Sequence, residues 1–248
     1  MSEKQITEIL NKLRLQSSDK YKGNVVKMGI PEENSIGVST QELRKIARNI
    51  PKFERNKVLS QSLWATGYHE AKILAILIGA YNYNDYSKEE ILSFMDAIQS
   101  WDLCDMFCKS ILIKRKDFNS LIEEFIKSDS LYYKRAGFTL LAAMSTHSVL
   151  SDEQVTYYLS LIPTFSIDDR VHVKKAASWA LRELGKIDES SKEKSIIVAN
   201  ELATSDNKAQ QWIAKDALKE LNTLIRVEGR SRLISSKSKM GKEALEKS

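Results

Sequence analysis

Apolar residues recur at intervals of three and four along most of the chain. Ile6, Ile9, Leu10 and Leu13 make the first such stripe, and that spacing puts them on one face of a helix. Residues 17–38 interrupt the pattern with Gly23, Gly29, Pro31 and Gly37 and read as irregular. Ser39-Thr40-Gln41-Glu42 then has the form of a capping box, opening a helix that carries Leu43, Ile46 and Ala47. Further helices are predicted at about 54–66, 70–82, 87–99, 101–113, 117–128, 130–145, 151–160, 168–185, 190–204 and 207–223. Ser87, Ser100, Ser128-Asp129, Ser151-Asp152, Pro163 and Ser205-Asp206 punctuate them, residue types that start or stop helices.

The helices repeat. Lys134-Arg135-Ala136-Gly137-Phe138 returns as Lys174-Lys175-Ala176-Ala177-Ser178, and Ala180-Leu181-Arg182-Glu183-Leu184 as Ala217-Leu218-Lys219-Glu220-Leu221. Glu70-Ala71-Lys72-Ile73-Leu74 reads as an earlier copy. Helix pairs at a period of roughly 40 residues mark HEAT-type solenoids, in which each pair buries its stripes against the next. Only 9 glycines and 3 prolines occur in 248 residues, too few turn formers for an all-β chain. The expected fold is therefore all-α, a superhelical solenoid of HEAT-like repeats. Residues 1–225 are expected as a single domain of a monomer. Residues 226–248, rich in Ser, Lys and Arg, read as a flexible basic tail.

The net charge of +5 is mildly basic. It gains meaning if concentrated: Lys134, Arg135, Lys174 and Lys175 fall near the starts of second helices, which line the concave face of such a stack. A concave basic face suits a duplex. Each lysine taken alone is equally a solvated surface charge. The two cysteines, Cys104 and Cys108, lie four apart, where a disulfide is poorly placed, and read as small buried thiols of an intracellular protein. The polar start Met1-Ser2-Glu3-Lys4-Gln5 is unlike a signal peptide. The run Ile73–Ala80 is too short to span a bilayer. No metal-ligand spacing, glycine-rich phosphate loop or Ser-His-Asp order is present, so neither metal nor cofactor is expected.

The informative chemistry lies in Ser100-Trp101-Asp102-Leu103-Cys104-Asp105. Trp101 and Asp105 are one helical turn apart and share a face. An indole beside a carboxylate suits a cation, through the ring quadrupole and a full charge. Taken singly, each is ordinary: a Trp on a solenoid helix belongs more often to the core, and Trp64 and Trp212 are placed there. Asp102, in the first turn, suits the helix dipole and reads as structural, holding Arg135 or a backbone amide.

Four segments together resemble the DNA alkylation repair family of AlkD-like HEAT-repeat glycosylases, over about residues 35–222. They are Ile36 to Arg44, Ser100 to Asp105, Tyr133-Lys134-Arg135-Ala136, and Lys175-Ala176-Ala177-Ser178-Trp179-Ala180-Leu181-Arg182-Glu183. The resemblance implies that Trp101, Asp105 and Trp179 serve catalysis and that Arg135 binds a backbone phosphate. It departs from the family at Gln41, where a proline is frequent, and at Ser39, where some relatives carry a longer polar side chain. The first 34 residues match loosely.

The implied activity is excision of N3- and N7-alkylated purines such as 3-methyladenine and 7-methylguanine from double-stranded DNA, the first step of base excision repair. Such bases are cationic and leave readily, so one carboxylate suffices where glycosidases use two. The resemblance implies contact mainly with the backbone and no deep base pocket. The matched motifs place no lysine for a Schiff base, so no strand cleavage is expected. Two other readings stay open: a non-catalytic HEAT scaffold, and a DNA-structure binder without chemistry.

Overall fold

A computed structural model describes residues 3–246. They fall into two compact units, residues 1–116 and 117–248, whereas the sequence reading took 1–225 as one.

The first unit holds α1 (Glu3–Leu15), α2 (Asp19–Lys27), α3 (Thr40–Asn49), α4 (Lys57–Ala65), α5 (His69–Gly79), α6 (Lys88–Asp96) and α7 (Trp101–Ser110). The apolar run read from the sequence becomes α5, buried on nearly every side. It packs on α3, α4 and α7, so α5 is the core around which this unit is built. α7 is seated by an aromatic cluster. Phe94 meets Trp64 edge-on at 4.8 Å and Phe107 at 5.7 Å, an arrangement favoured by ring quadrupoles. Ser87 and Glu90 form a complete capping box at α6. At α3 only half of the expected box forms: Ser39 Oγ accepts the Glu42 N–H, while the Glu42 carboxylate pairs with Lys45.

One correction concerns residues 17–38, which contain α2 and a short 3-10 turn at Glu32–Asn34. Gly23 lies inside α2, and nothing stands within 4 Å of where its Cβ would be. A glycine at this open position does not break the helix. Gly37 is the one that shapes the chain: its φ is +92°, and an added Cβ would lie 2.7 Å from the Ser18 carbonyl oxygen.

The second unit holds α8 (Phe118–Ile126), α9 (Leu131–His147), α10 (Asp152–Phe165), α11 (Val171–Gly185), α12 (Glu189–Ala203) and α13 (Lys208–Leu221). α8 packs on α9, α9 on α11, α11 on α13, and α10 on α12. This alternation is the repeat seen in the sequence. Lys134 and Lys174 are each the fourth residue of their helices, and Ala180 and Ala217 each the tenth. Gly137 lets α8 approach α9, since a Cβ there would lie 2.6 Å from the Ile126 nitrogen. Pro163 sits within the last turn of α10 and does not end it early.

The segment read as a tail is folded through residue 246. Leu224–Ile225 (β1) pairs antiparallel with Ile234–Ser235 (β2), and Lys239–Leu245 forms α14. Leu233 is buried and its N–H donates to the Lys186 carbonyl at 2.8 Å. Arg232 donates to the Ser145 carbonyl at 3.1 Å and the Glu183 carbonyl at 2.7 Å, and pairs with the Glu183 carboxylate at 3.0 Å. Composition concealed this anchor, because one arginine and one leucine supply it. Among the described residues, no helix is long and apolar enough to cross a membrane.

Candidate functional site

In the first unit the site begins with a buried carboxylate. Glu70, in the first turn of α5, accepts the backbone N–H groups of Ile36 at 2.9 Å and Gly37 at 2.6 Å. Its side chain is wholly enclosed, so the charge is stabilised by these aligned donors. The bonds fix the turn that ends in Ser39, and Ser39 caps α3.

His69, beside Glu70, is 2% exposed. Its Nε2 lies 2.9 Å from Asp102 Oδ2, and Ser100 Oγ donates to Asp102 Oδ1 at 2.6 Å. Burial alone would raise the Asp102 pKa. The bond and charge of His69, with the bonds from Ser100 and the Leu103 N–H, outweigh it and hold the carboxyl below its ordinary value. Asp102 is thus structural, as expected, but its side-chain partners are His69 and Ser100. Sequence reasoning dismissed His69 as one of three scattered histidines, and only spatial proximity joins it to Asp102.

Trp101 opens α7 and is 41% exposed. Asp105, one turn later, is half-buried. Trp101, Asp102 and His69 line a cleft of about 240 Å³ with Tyr21 and Asn24 of α2 and Ser39 and Thr40 at the head of α3. Its floor includes Val25, Val38 and Ile73.

The second unit carries the remaining residues singled out from sequence. Arg135 is 6% exposed, and its Nη1 donates to the His172 carbonyl at 2.6 Å, tying α9 to the start of α11. Lys134 is also buried, its Nζ 3.8 Å from Asp168. Arg170 grips the same Asp168, with Nε at 2.9 Å from Oδ1 and Nη2 at 2.5 Å from Oδ2. That grip, together with Lys134, holds the Asp168 carboxyl below its ordinary pKa despite partial burial. Lys174 Nζ lies 5.3 Å from the Trp212 ring centroid, a cation–π contact. Lys175 is exposed and Trp179 half-buried on the same helix. Beside Trp179, Ser178 Oγ donates to Asp216 at 2.7 Å. Of the four basic residues expected to form a DNA-facing surface, Lys175 alone is exposed. Cys104 and Cys108 are buried and form no disulfide, and among the described residues no cluster of His, Cys, Asp and Glu is placed to hold a metal.

A family model described as DNA alkylation repair enzyme matches residues 9–221. The fold is similar to a solved structure described as a new family of proteins related to the HEAT-like repeat DNA glycosylases with affinity for branched DNA structures. The TM-score is 0.71 at 19% identity, covering 86% of this chain and 94% of that one. The all-α, HEAT-like architecture expected from the repeats is therefore the fold of this chain. No curated protein matches the sequence.

Proposed function

The chain belongs to the family of DNA alkylation repair enzymes, and we propose that it is a monofunctional glycosylase that releases cationic N3- and N7-alkylpurines from duplex DNA. The observation that carries this reading is the pair on α7: a 41% exposed indole at Trp101 and, one turn on, the carboxylate of Asp105. Both stand on one rigid helix, so their spacing is set before substrate arrives.

The chemistry follows from the substrate's charge. An alkylated purine leaves with the electron pair of its N-glycosidic bond and becomes neutral, and positive charge develops on the deoxyribose. The Asp105 carboxylate stabilises that charge and accepts a proton from water as the water oxygen bonds to C1′. The ring face of Trp101 attracts the same developing charge. Lys175, exposed on α11, and Lys174 one residue before it supply positive charge for the phosphodiester backbone. Backbone contact is sufficient for this step, because methylation has replaced protonation of the leaving group.

The test is release of 7-methylguanine from methylated duplex DNA. Wild type should release it, and Asp105→Asn should do so about a hundredfold more slowly or worse. Equal rates would refute the mechanism.

A second reading, recognition of DNA structure without excision, draws on two observations. The similar solved structure is described as having affinity for branched DNA. Arg135 is buried and already donates to a carbonyl. Under this reading the purified protein binds branched DNA more tightly than linear duplex and releases no base.

A further inference from the structure

Helix α3 carries two arginines one turn apart on one face, Arg44 and Arg48. Like charges at that spacing repel and weaken a helix. Both are exposed, and among the described residues no carboxylate pairs with either. Cations elsewhere in the chain are compensated. Lys45, between the two, pairs with Glu42, and Arg170, Arg182 and Arg232 each hold a carboxylate.

A third guanidinium is fixed beside them. Arg55 Nε donates to the Ile50 carbonyl at 2.7 Å, and Nη2 donates to the Arg48 carbonyl at 2.5 Å. Its guanidinium carbon lies 4.9 Å from the centroid of the Tyr81 ring, and among the described residues it too has no carboxylate partner. Tyr81 stands just beyond the end of α5 and is 56% exposed. Arg44, Arg48 and Tyr81, with Ala47 and Leu77, line a hollow of about 180 Å³. Sites for drug-sized ligands run to roughly 300–1,000 Å³, so this one takes a phosphate group and not a whole nucleotide. Guanidinium forks and a phenol hydroxyl are donors that suit phosphate oxygens.

The hollow lies apart from the α7 pair. The first two residues of α5 bond to the first turn of α7 and to the turn before α3, so these three helices start at one end of the unit. Trp101 stands at that end. Arg48 is the ninth residue of α3, about 12 Å further along its axis. We propose that Arg44, Arg48 and Arg55, with Tyr81, bind the phosphodiester backbone of duplex DNA at a point away from the lesion. The proposal rests on the reading of the chain as a DNA-binding protein. It gives the first unit a cationic anchor of its own, where that reading otherwise draws its charge from Lys174 and Lys175.

The experiment measures binding of unmodified duplex DNA by fluorescence anisotropy over a salt series, beside thermal melts. The double variant Arg44→Ala, Arg48→Ala keeps the backbone carbonyl to which Arg55 donates. It should bind on the order of tenfold more weakly, and its slope of log affinity against log salt should be shallower by about two. Its melting temperature should not fall, since two exposed and mutually repelling charges are lost. Arg44→Lys, Arg48→Lys should restore most of the slope, because the charge returns without the fork. A control that removes two exposed lysines of α1, Lys4→Ala with Lys12→Ala, should leave the slope as in wild type. An unchanged slope in the arginine variant would overturn the proposal and leave the DNA reading intact, as would an equal change in the lysine control. A wild-type protein that does not bind duplex at all would overturn both.

Discussion

Nε2 of His69 and Oδ2 of Asp102 lie 2.9 Å apart, and that bond joins the first residue of α5 to the first turn of α7. Burial works against the Asp102 charge, but the bonds to His69, Ser100 and Leu103 prevail and depress its pKa below the ordinary 3.8. A carboxyl with a depressed folded pKa contributes stability above its unfolded value and loses it as pH falls through the folded one. Asp102→Asn should therefore flatten acid unfolding below about pH 4 while lowering stability at neutral pH. Urea melts between acid and neutral pH check this. Parallel curves for the two proteins would show that the pair does not couple to folding.

Glu70 is the other buried anchor of this unit. Glu70→Ala would leave the Ile36 and Gly37 N–H groups enclosed and without their acceptor. A loss on the order of 3 kcal/mol is expected, from unpaired buried donors and the cavity together. Glu70→Gln keeps the volume but turns one acceptor into a donor facing those amides, so it should rescue only part of the loss. Chemical denaturation of both variants provides the comparison.

How much of this was legible in the sequence varies with the kind of interaction. Helix positions and the repeat register followed from apolar spacing, since stripes such as Leu43 and Ala47 are periodic and locally encoded. Glu70 and Asp102 were harder. Each looks like an ordinary first-turn acid, and their meaning comes from the 36–38 turn and from His69, more than thirty residues away in either case. The burial of two basic residues was hidden for a related reason. Lys134 and Arg135 occupy a helix start that reads as surface, yet Asp168 and the His172 carbonyl draw them inward. The α7 pair was readable because Trp101 and Asp105 lie one turn apart on one helix.

The C-terminal segment makes a stability prediction that its composition would not. Leu233 is 1% exposed, and Arg232 bridges the ends of α9 and α11. Leu233→Ala should cost about 2–4 kcal/mol, the usual penalty for emptying a buried leucine site. Removal of residues 226–248 should lower the melting temperature at least as much. A truncated protein with an unchanged melting temperature would mean that the segment is dispensable for folding.

The lysines separate by environment, and so should their effects on DNA. Lys134 is buried with its Nζ 3.8 Å from Asp168, whereas Lys175 is exposed on the surface of α11. A charge held by a carboxylate releases few counterions on meeting a phosphate, and an exposed one releases nearly its full share. Binding by the proposed interface should therefore weaken linearly in log salt. Lys175→Ala should make that slope shallower by about one. Lys134→Ala should barely change it and should instead destabilise the protein by freeing Asp168. Fluorescence anisotropy over a salt series, paired with thermal melts, measures both. The reverse pattern, a slope change at Lys134 and none at Lys175, would place the phosphate contact at the enclosed residue and require Asp168 to release it on binding.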